Sequence, residues 1–215
     1  MGCALSEAAR LLVDVDAMCK LAHWQALELL PQVTGLPLAR CETLPSCRFR
    51  ALKAAEKPDG RLFRSADAAL AVVRVVDLFA EMPQPSSVHL ATFEDVPGVD
   101  AGEAVLLAHL LGDANAVLLT GDKRALRALA ALPPSVRAPL ARRILSVECF
   151  VKCVLDLVGI DELRARVCQW KDVDKAIAIV MGSRCDQGEA SVREGLQSYL
   201  GELASLCVPP LMRDC

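Results

Sequence analysis

Five carboxylates stand where chemistry can be done with them: Asp14, Asp16, Asp100, Glu103 and Asp122. Each lies at the end of an apolar run or in the first turn of a helical pattern. Three or four unpaired carboxylates brought together repel and raise one another's pKa. Mg²⁺ or Mn²⁺ removes that penalty, because hard cations take oxygen ligands. Such a group suits phosphodiester hydrolysis, in which metal ions activate water and stabilise the leaving oxygen. Taken singly, the same residues are ordinary helix N-caps, a role that favours Asp anyway. Residue type alone admits both readings.

The elements that must position these side chains follow from periodicity. Leu11-Leu12-Val13 is a strand that ends on Asp14 and Asp16 and turns into a helix carrying Met18, Leu21, Ala22, Gln25 and Leu29. Ala116-Val117-Leu118-Leu119 is a continuous apolar run, as expected of a strand covered on both faces. It ends at Thr120-Gly121-Asp122, after which Arg124, Ala125, Leu126 and Leu129 begin another helix. Asp100 is placed as a helix cap, with Gly102 and Glu103 in the first turn and Ala104, Leu107, Ala108 and Leu111 at helical spacing. In a parallel sheet all carboxyl ends lie on one side, so Asp14 and Asp122 can converge across a long sequence distance.

Elsewhere a short strand is expected over 36–40, and Glu42-Thr43 opens a helix holding Leu44, Cys47, Leu52 and Ala55. Ser65 or Asp67 caps a helix from Ala66 to Met82, Val88 to Ala91 is a strand candidate, and Ile144 to Val147 is a last edge strand. Glu148–Leu157, Asp161–Trp170, Asp172–Met181 and Glu189–Cys207 all look helical. The expectation is an α/β body over 1–150 and a helical extension over 151–215.

Apolar residues make up 53% of the 215 and aromatics only 4%, so the core must be built from Ala, Leu and Val. A net charge of −3 gives no bulk electrostatic case for nucleic acid; an RNA partner needs a local basic patch or metal ions. The ten cysteines are scattered without a CxxC pair, which predicts reduced, structural thiols rather than a disulfide framework or a zinc site. Residues 1–12 lack a signal-peptide pattern, and the apolar stretch from Ala66 to Ala80 is broken by Arg74 and Asp77. A cytoplasmic protein with no membrane contact is expected. His23, His89 and His109 share no ligand spacing, and the glycine-bearing stretch 182–188 lacks a nucleotide-binding pattern.

Leu12-Val13-Asp14-Val15-Asp16-Ala17-Met18, Asp100-Ala101-Gly102-Glu103-Ala104 and Leu119-Thr120-Gly121-Asp122-Lys123 occur in the order and spacing seen in PIN-domain ribonucleases. The resemblance covers roughly residues 9–150, and Thr-x-Asp at 120–122 is its most specific motif. It implies a three-layer α/β/α fold with a mostly parallel sheet and a metal-dependent endoribonuclease using Mg²⁺ or Mn²⁺. Asp14, Glu103 and Asp122 would be catalytic and metal-binding, with Thr120 orienting a bound water or its neighbours and Asp100 a further ligand. The family's second acid falls near Cys47 or Arg48 here, and Glu42 is the substitute at hand. The resemblance also implies RNA as substrate, a protein antitoxin as a partner, and a homodimer. Lys20, Arg48, Arg50, Lys53, Lys123, Arg124 and Arg127 are candidates for RNA phosphates, and Trp24, Phe49 and Phe63 for base stacking.

Two rivals stand beside this reading. Asp14-Val15-Asp16 also resembles the opening D-x-D motif of haloacid-dehalogenase-like phosphatases, with Asp14 as nucleophile and Asp16 as general acid. A PIN-like chain without the second acid can instead be an inactive binding module acting through its helical tail.

Overall fold

Four short parallel strands form the centre of the molecule. The computed structural model describes Leu5 and residues 10–213; Cys3, Cys215 and the polar lead-in over 6–9 lie outside the described residues. In chain order the elements are β1 (Arg10–Val13), α1 (Val15–His23), α2 (Leu30–Thr34), β2 (Cys41–Glu42), α3 (Pro45–Glu56), α4 (Ala66–Val76), α5 (Ser87–Ala91) and α6 (Ala101–Gly112). They continue with β3 (Ala116–Thr120), α7 (Lys123–Ala130), α8 (Pro134–Arg137), β4 (Ile144–Ser146), α9 (Val147–Val167), α10 (Lys175–Met181) and α11 (Glu189–Ala204). The sheet order is β2-β1-β3-β4, with every pair parallel.

Alternation along the strands explains why both faces are covered. Leu11, Val13, Val117, Leu119 and Leu145 enter one core with side chains of α1, α3, α4 and α9. Leu12, Ala116, Leu118 and Ile144 enter a second core with α6 and α7. The apolar runs at 11–13 and 116–119 are therefore what a doubly covered sheet requires, and the α/β class is as expected.

Several expected elements take another form. The strand expected over 36–40 is a 3-10 turn at Leu38–Arg40, because Pro37 has no N–H for a ladder and its carbonyl accepts the Arg40 amide at 2.8 Å. Only Cys41 and Glu42 then pair with β1, so Glu42 belongs to a strand and not to a helix start. Val88 to Ala91 is helical: both edges of β3 are occupied by β1 and β4, and the segment lies against α6 instead. A Cβ on Gly112 would stand 2.9 Å from His89 Nδ1, so the glycine permits that approach. The helix from Ala66 stops at Val76, where the Ala80 amide turns back to the Cys41 carbonyl at 2.9 Å. The helix after Asp14 stops at His23, and Gln25 takes φ 50.

The tail packs into the body. The boundary expected at 150 falls inside α9, which kinks at Gly159 (φ 78). Val151, Val154, Leu163, Val167, Ile177 and Leu196 pack in the same core as Leu11 and Val13. Chain end and sheet also meet, since Ile144 N–H donates to the Leu211 carbonyl at 3.2 Å and Arg213 N–H to the Ile144 carbonyl at 2.7 Å. Amphipathic spacing shows that a helix has an apolar face but not what it covers. Cys168 and Cys185 form a disulfide, against the expectation of reduced thiols, while Cys19, Cys41 and Cys47 are buried and unbridged. Among the described residues, no helix is long and apolar enough to cross a membrane.

Candidate active site

The carboxyl ends of β1 and β3 and the start of α6 open onto one groove of about 900 Å³. Asp14, Asp16, Asp100, Glu103 and Asp122 line it, together with Arg50, Arg61 and Arg124. Local sequence explains each placement. The Asp14 amide extends the ladder to the Leu119 carbonyl at 3.0 Å, which aims the residue past the sheet edge. Thr120 ends β3, and its Oγ1 donates to Asp14 Oδ2 at 3.2 Å while accepting the Asp122 N–H at 3.1 Å. One hydroxyl thus ties both strand ends together.

The capping reading holds for some of these residues and not for others. Asp122 caps α7, its Oδ1 accepting from the Arg124 amide at 2.7 Å and the Ala125 amide at 3.0 Å. Asp100 and Glu103 form a capping box on α6, with reciprocal bonds of 2.8 and 2.7 Å. Asp14 occupies the N-cap position of α1, yet its side chain closes no cap hydrogen bond. It is only 8% exposed.

Electrostatics divide the acids. Burial, reinforced by the Asp16 charge, pushes the Asp14 carboxyl up to about 6, against the pull of the Thr120 hydroxyl and nearby amides. Burial also drives Glu103 well above the usual carboxylate range, and the adjoining Asp122 and Asp100 add to it, although the Asp100 amide works the other way. For Asp122 burial opposes ionisation, but the Ala125 amide, the hydrogen bond from Glu103 and the Arg124 amide outweigh it and hold the carboxyl low. Glu103 and Asp122 therefore behave as two carboxyls sharing one proton, carried by Glu103.

Other expected site residues lie elsewhere. Glu42 is diverted: register pairs it with Leu12, two residues back from Asp14, and the Arg10 guanidinium takes both its oxygens at 3.0 Å. Cys47, near the position where a second acid was sought, is fully buried. Trp24 and Phe63 are core residues, whereas Phe49 is 71% exposed. Of the basic candidates, Arg50 and Arg124 line the groove, Arg48 pairs with Asp77, Arg127 with Glu202 and Lys123 with Glu148, and Lys53 is exposed. Lys20 is buried between Asp16 at 2.6 Å and Asp174 at 2.9 Å. Sequence reading missed Asp174 and Arg61; Lys20 four positions after Asp16 was a helical ion-pair signal, but nothing local links either to Asp174.

The donor chemistry at the groove is all oxygen, which suits a hard divalent cation. Among the described residues no group of three or more His, Cys, Asp or Glu could hold a metal ion as they stand. Glu103 Oε2 is already engaged, accepting the Asp100 amide at 2.7 Å. Coordination would have to open that contact. No family model matches the chain, and no curated protein or solved structure matches it either.

Proposed function

We propose that the chain is a divalent-cation-dependent phosphodiesterase acting on RNA, with its site at the groove of Asp14, Glu103 and Asp122. One observation carries the reading: three acids from three separate segments line one groove at the carboxyl side of a parallel sheet, where open α/β folds keep their sites. The likeness of the three motifs to PIN-domain ribonucleases points the same way. Asp14, Glu103 and Asp122 would hold Mg²⁺ or Mn²⁺. When bound, such an ion supplies an activated water and charge neutralisation at the leaving oxygen. Thr120 fixes the relative positions of Asp14 and Asp122 through its two hydrogen bonds. Arg50, Arg61 and Arg124 offer phosphate contacts on the groove wall, which offsets locally what the net charge of −3 withholds. Asp16 is engaged by Lys20 at 2.6 Å, which disfavours the general-acid role a phosphatase would give it.

A second reading has a specific observation in its favour. Because Glu103 is tied into the capping box with Asp100 and Asp122 caps α7, the groove also suits a binding module without catalysis. The same experiment separates the two. Single-stranded RNA is incubated with the full chain in Mn²⁺, in Mg²⁺ and in EDTA, with calorimetric titration of Mn²⁺ alongside. Cleavage that requires the cation supports the proposal. RNA binding without cleavage and without cation uptake favours the binding module, and cleavage that persists in EDTA rejects the metal role.

A further inference from the structure

The disulfide closes a segment that walls two grooves at once. Cys168 and Cys185 are joined with their Cα atoms 6.1 Å apart, and both are half-buried, within reach of solvent. On one side of the segment, Trp170 stacks obliquely on His23 at 4.8 Å, and its carbonyl accepts Trp24 Nε1–H at 3.1 Å. Gln169 and Trp170 there bound a groove of about 440 Å³ with Asp67 and Arg74. On the other side, Asp174 accepts from Lys20 Nζ, and residues 173–176 wall a space of about 300 Å³ that also contains Asp16, Gly121 and Asp122. Lys20 sits close under Gly121, where an added Cβ would stand 2.7 Å from Nζ.

Two kinds of tether hold this segment. From Ile177 onward the attachment is apolar burial: Ile177, Val180 and Met181 are in the core. Between Cys168 and Val173 no residue is buried. That stretch is held by the Trp24 bond, by Arg64 donating to the Asp172 carbonyl at 3.3 Å, by Lys171 donating to the Gly182 carbonyl at 2.8 Å and to that of Ser183, by the partial packing of Trp170 and Val173 on the core, by the adjoining Lys20–Asp174 pair, and by the disulfide. Exposed hydrogen bonds with little apolar burial belong to the low-stability end of a structure. Ring closure across 17 positions is what limits the alternatives open to it.

We propose that Cys168–Cys185 is a redox latch on the wall of the space beside Asp16 and Asp122. A small dithiol reduces the bond, two electrons and two protons yielding two cysteine thiols while the dithiol closes to its own disulfide. The freed stretch 168–174 then leaves its docked position, Asp174 withdraws from Lys20, and the wall beside Asp16 and Asp122 opens. α10 stays in place through Ile177, Val180 and Met181. The latch does not depend on whether the groove hydrolyses RNA.

Hydrogen exchange on the full chain tests this, comparing the oxidised protein with protein reduced by dithiothreitol, the thiols counted by mass. The Ala176 and Ile177 amides, which Asp174 Oδ1 caps at 2.9 and 3.1 Å, are the reporters. Reduction is expected to speed their exchange at least about tenfold, within the roughly hundredfold that closing a loop of this length can supply. Trp emission should change, while the Leu12 and Leu118 amides stay protected. The Cys168→Ser, Cys185→Ser double variant, without reductant, should show the same fast exchange at Ala176 and Ile177 as the reduced protein. Unchanged exchange at Ala176 and Ile177 after full reduction overturns the proposal. Equal loss of protection at Leu12 and Leu118 overturns it as well, because the bond would then be a staple of the whole fold.

Discussion

Asp122 has two roles that one pair of substitutions can separate. Its Oδ1 caps α7 through two amides, and its carboxylate charge completes the acidic groove. Asp122→Asn keeps an oxygen that can accept from the Arg124 and Ala125 amides, while Asp122→Ala removes the cap. Loss of a cap to Ala costs about 1 kcal/mol. In a chain of this size that lowers the melting temperature by roughly 2–4 °C. Asp122→Asn should stay within about 0.5 kcal/mol of the parent, since Asn caps about as well as Asp. Both variants should lose cation-dependent RNA cleavage, because both remove the charge. Thermal unfolding and a cleavage assay on the same samples give the two readouts. If Asp122→Asn cleaves RNA as the parent does, Asp122 is a cap and nothing more, and the metal role assigned to it is refuted.

Two further outcomes follow from charges away from the groove. Glu42→Ala removes one partner of a largely buried ion pair but leaves Arg10 its contact with Asp113 at 2.9 Å, so denaturant unfolding should show a loss of about 1–2 kcal/mol with cation binding intact; loss of cation binding instead would return Glu42 to the site. His23 accepts the Arg64 amide at Nε2, and burial, with Arg64 nearby, lowers its pKa from 6.5 to about 4. The unfolded chain therefore takes up the proton first, so stability contributed by neutral His23 is present above pH 6.5 and falls away toward pH 4. The loss is on the order of 3 kcal/mol at 1.36 kcal/mol per pKa unit. His23→Gln, which keeps an acceptor for Arg64, should flatten that part of the pH–stability curve, and an unchanged slope would contradict the assignment.

What was legible in the sequence is what local pattern determines. The runs at 11–13 and 116–119 announce strands because a doubly covered strand must be apolar throughout, and the Asp or Thr-x-Asp that ends each run marks its carboxyl end. Asp100 and Glu103 carry the capping box in their spacing. The place of Glu42 is not legible locally, because it depends on a two-residue strand whose register sets it beside Leu12 and within reach of Arg10. Sequence marks 151–215 only as a helical extension, because Val151 and Ile177 show that they need burial, not that Leu11 supplies it. Cys168 and Cys185 are brought together by the turns after α9 and α10, which no spacing rule encodes.

Asp14 is the acid that stability alone explains least. Its side chain closes no cap bond on α1, no cation pairs with it among the described residues, and it is buried with Asp16 close enough to oppose its charge. Burying an unpaired carboxylate costs free energy, and the fold keeps one at the end of its central strand. The pKa raised from 3.8 to about 6 measures that cost. Sign and size follow from linkage. The folded state binds the Asp14 proton more tightly than the unfolded chain does, so at pH 7 the ionised group destabilises the fold, by up to about 3 kcal/mol at 1.36 kcal/mol per unit. Asp14→Asn removes the charge and keeps an oxygen for the Thr120 hydroxyl. It should stabilise the protein by about 1–3 kcal/mol at pH 7, with the gain shrinking as pH falls below 6. It should also abolish Mn²⁺ uptake, the pattern expected where a site is held against stability. Chemical unfolding at pH 7 and pH 5, with calorimetric Mn²⁺ titration, decides it: an Asp14→Asn variant that is no more stable and still binds Mn²⁺ would leave Asp14 without the role its burial suggests.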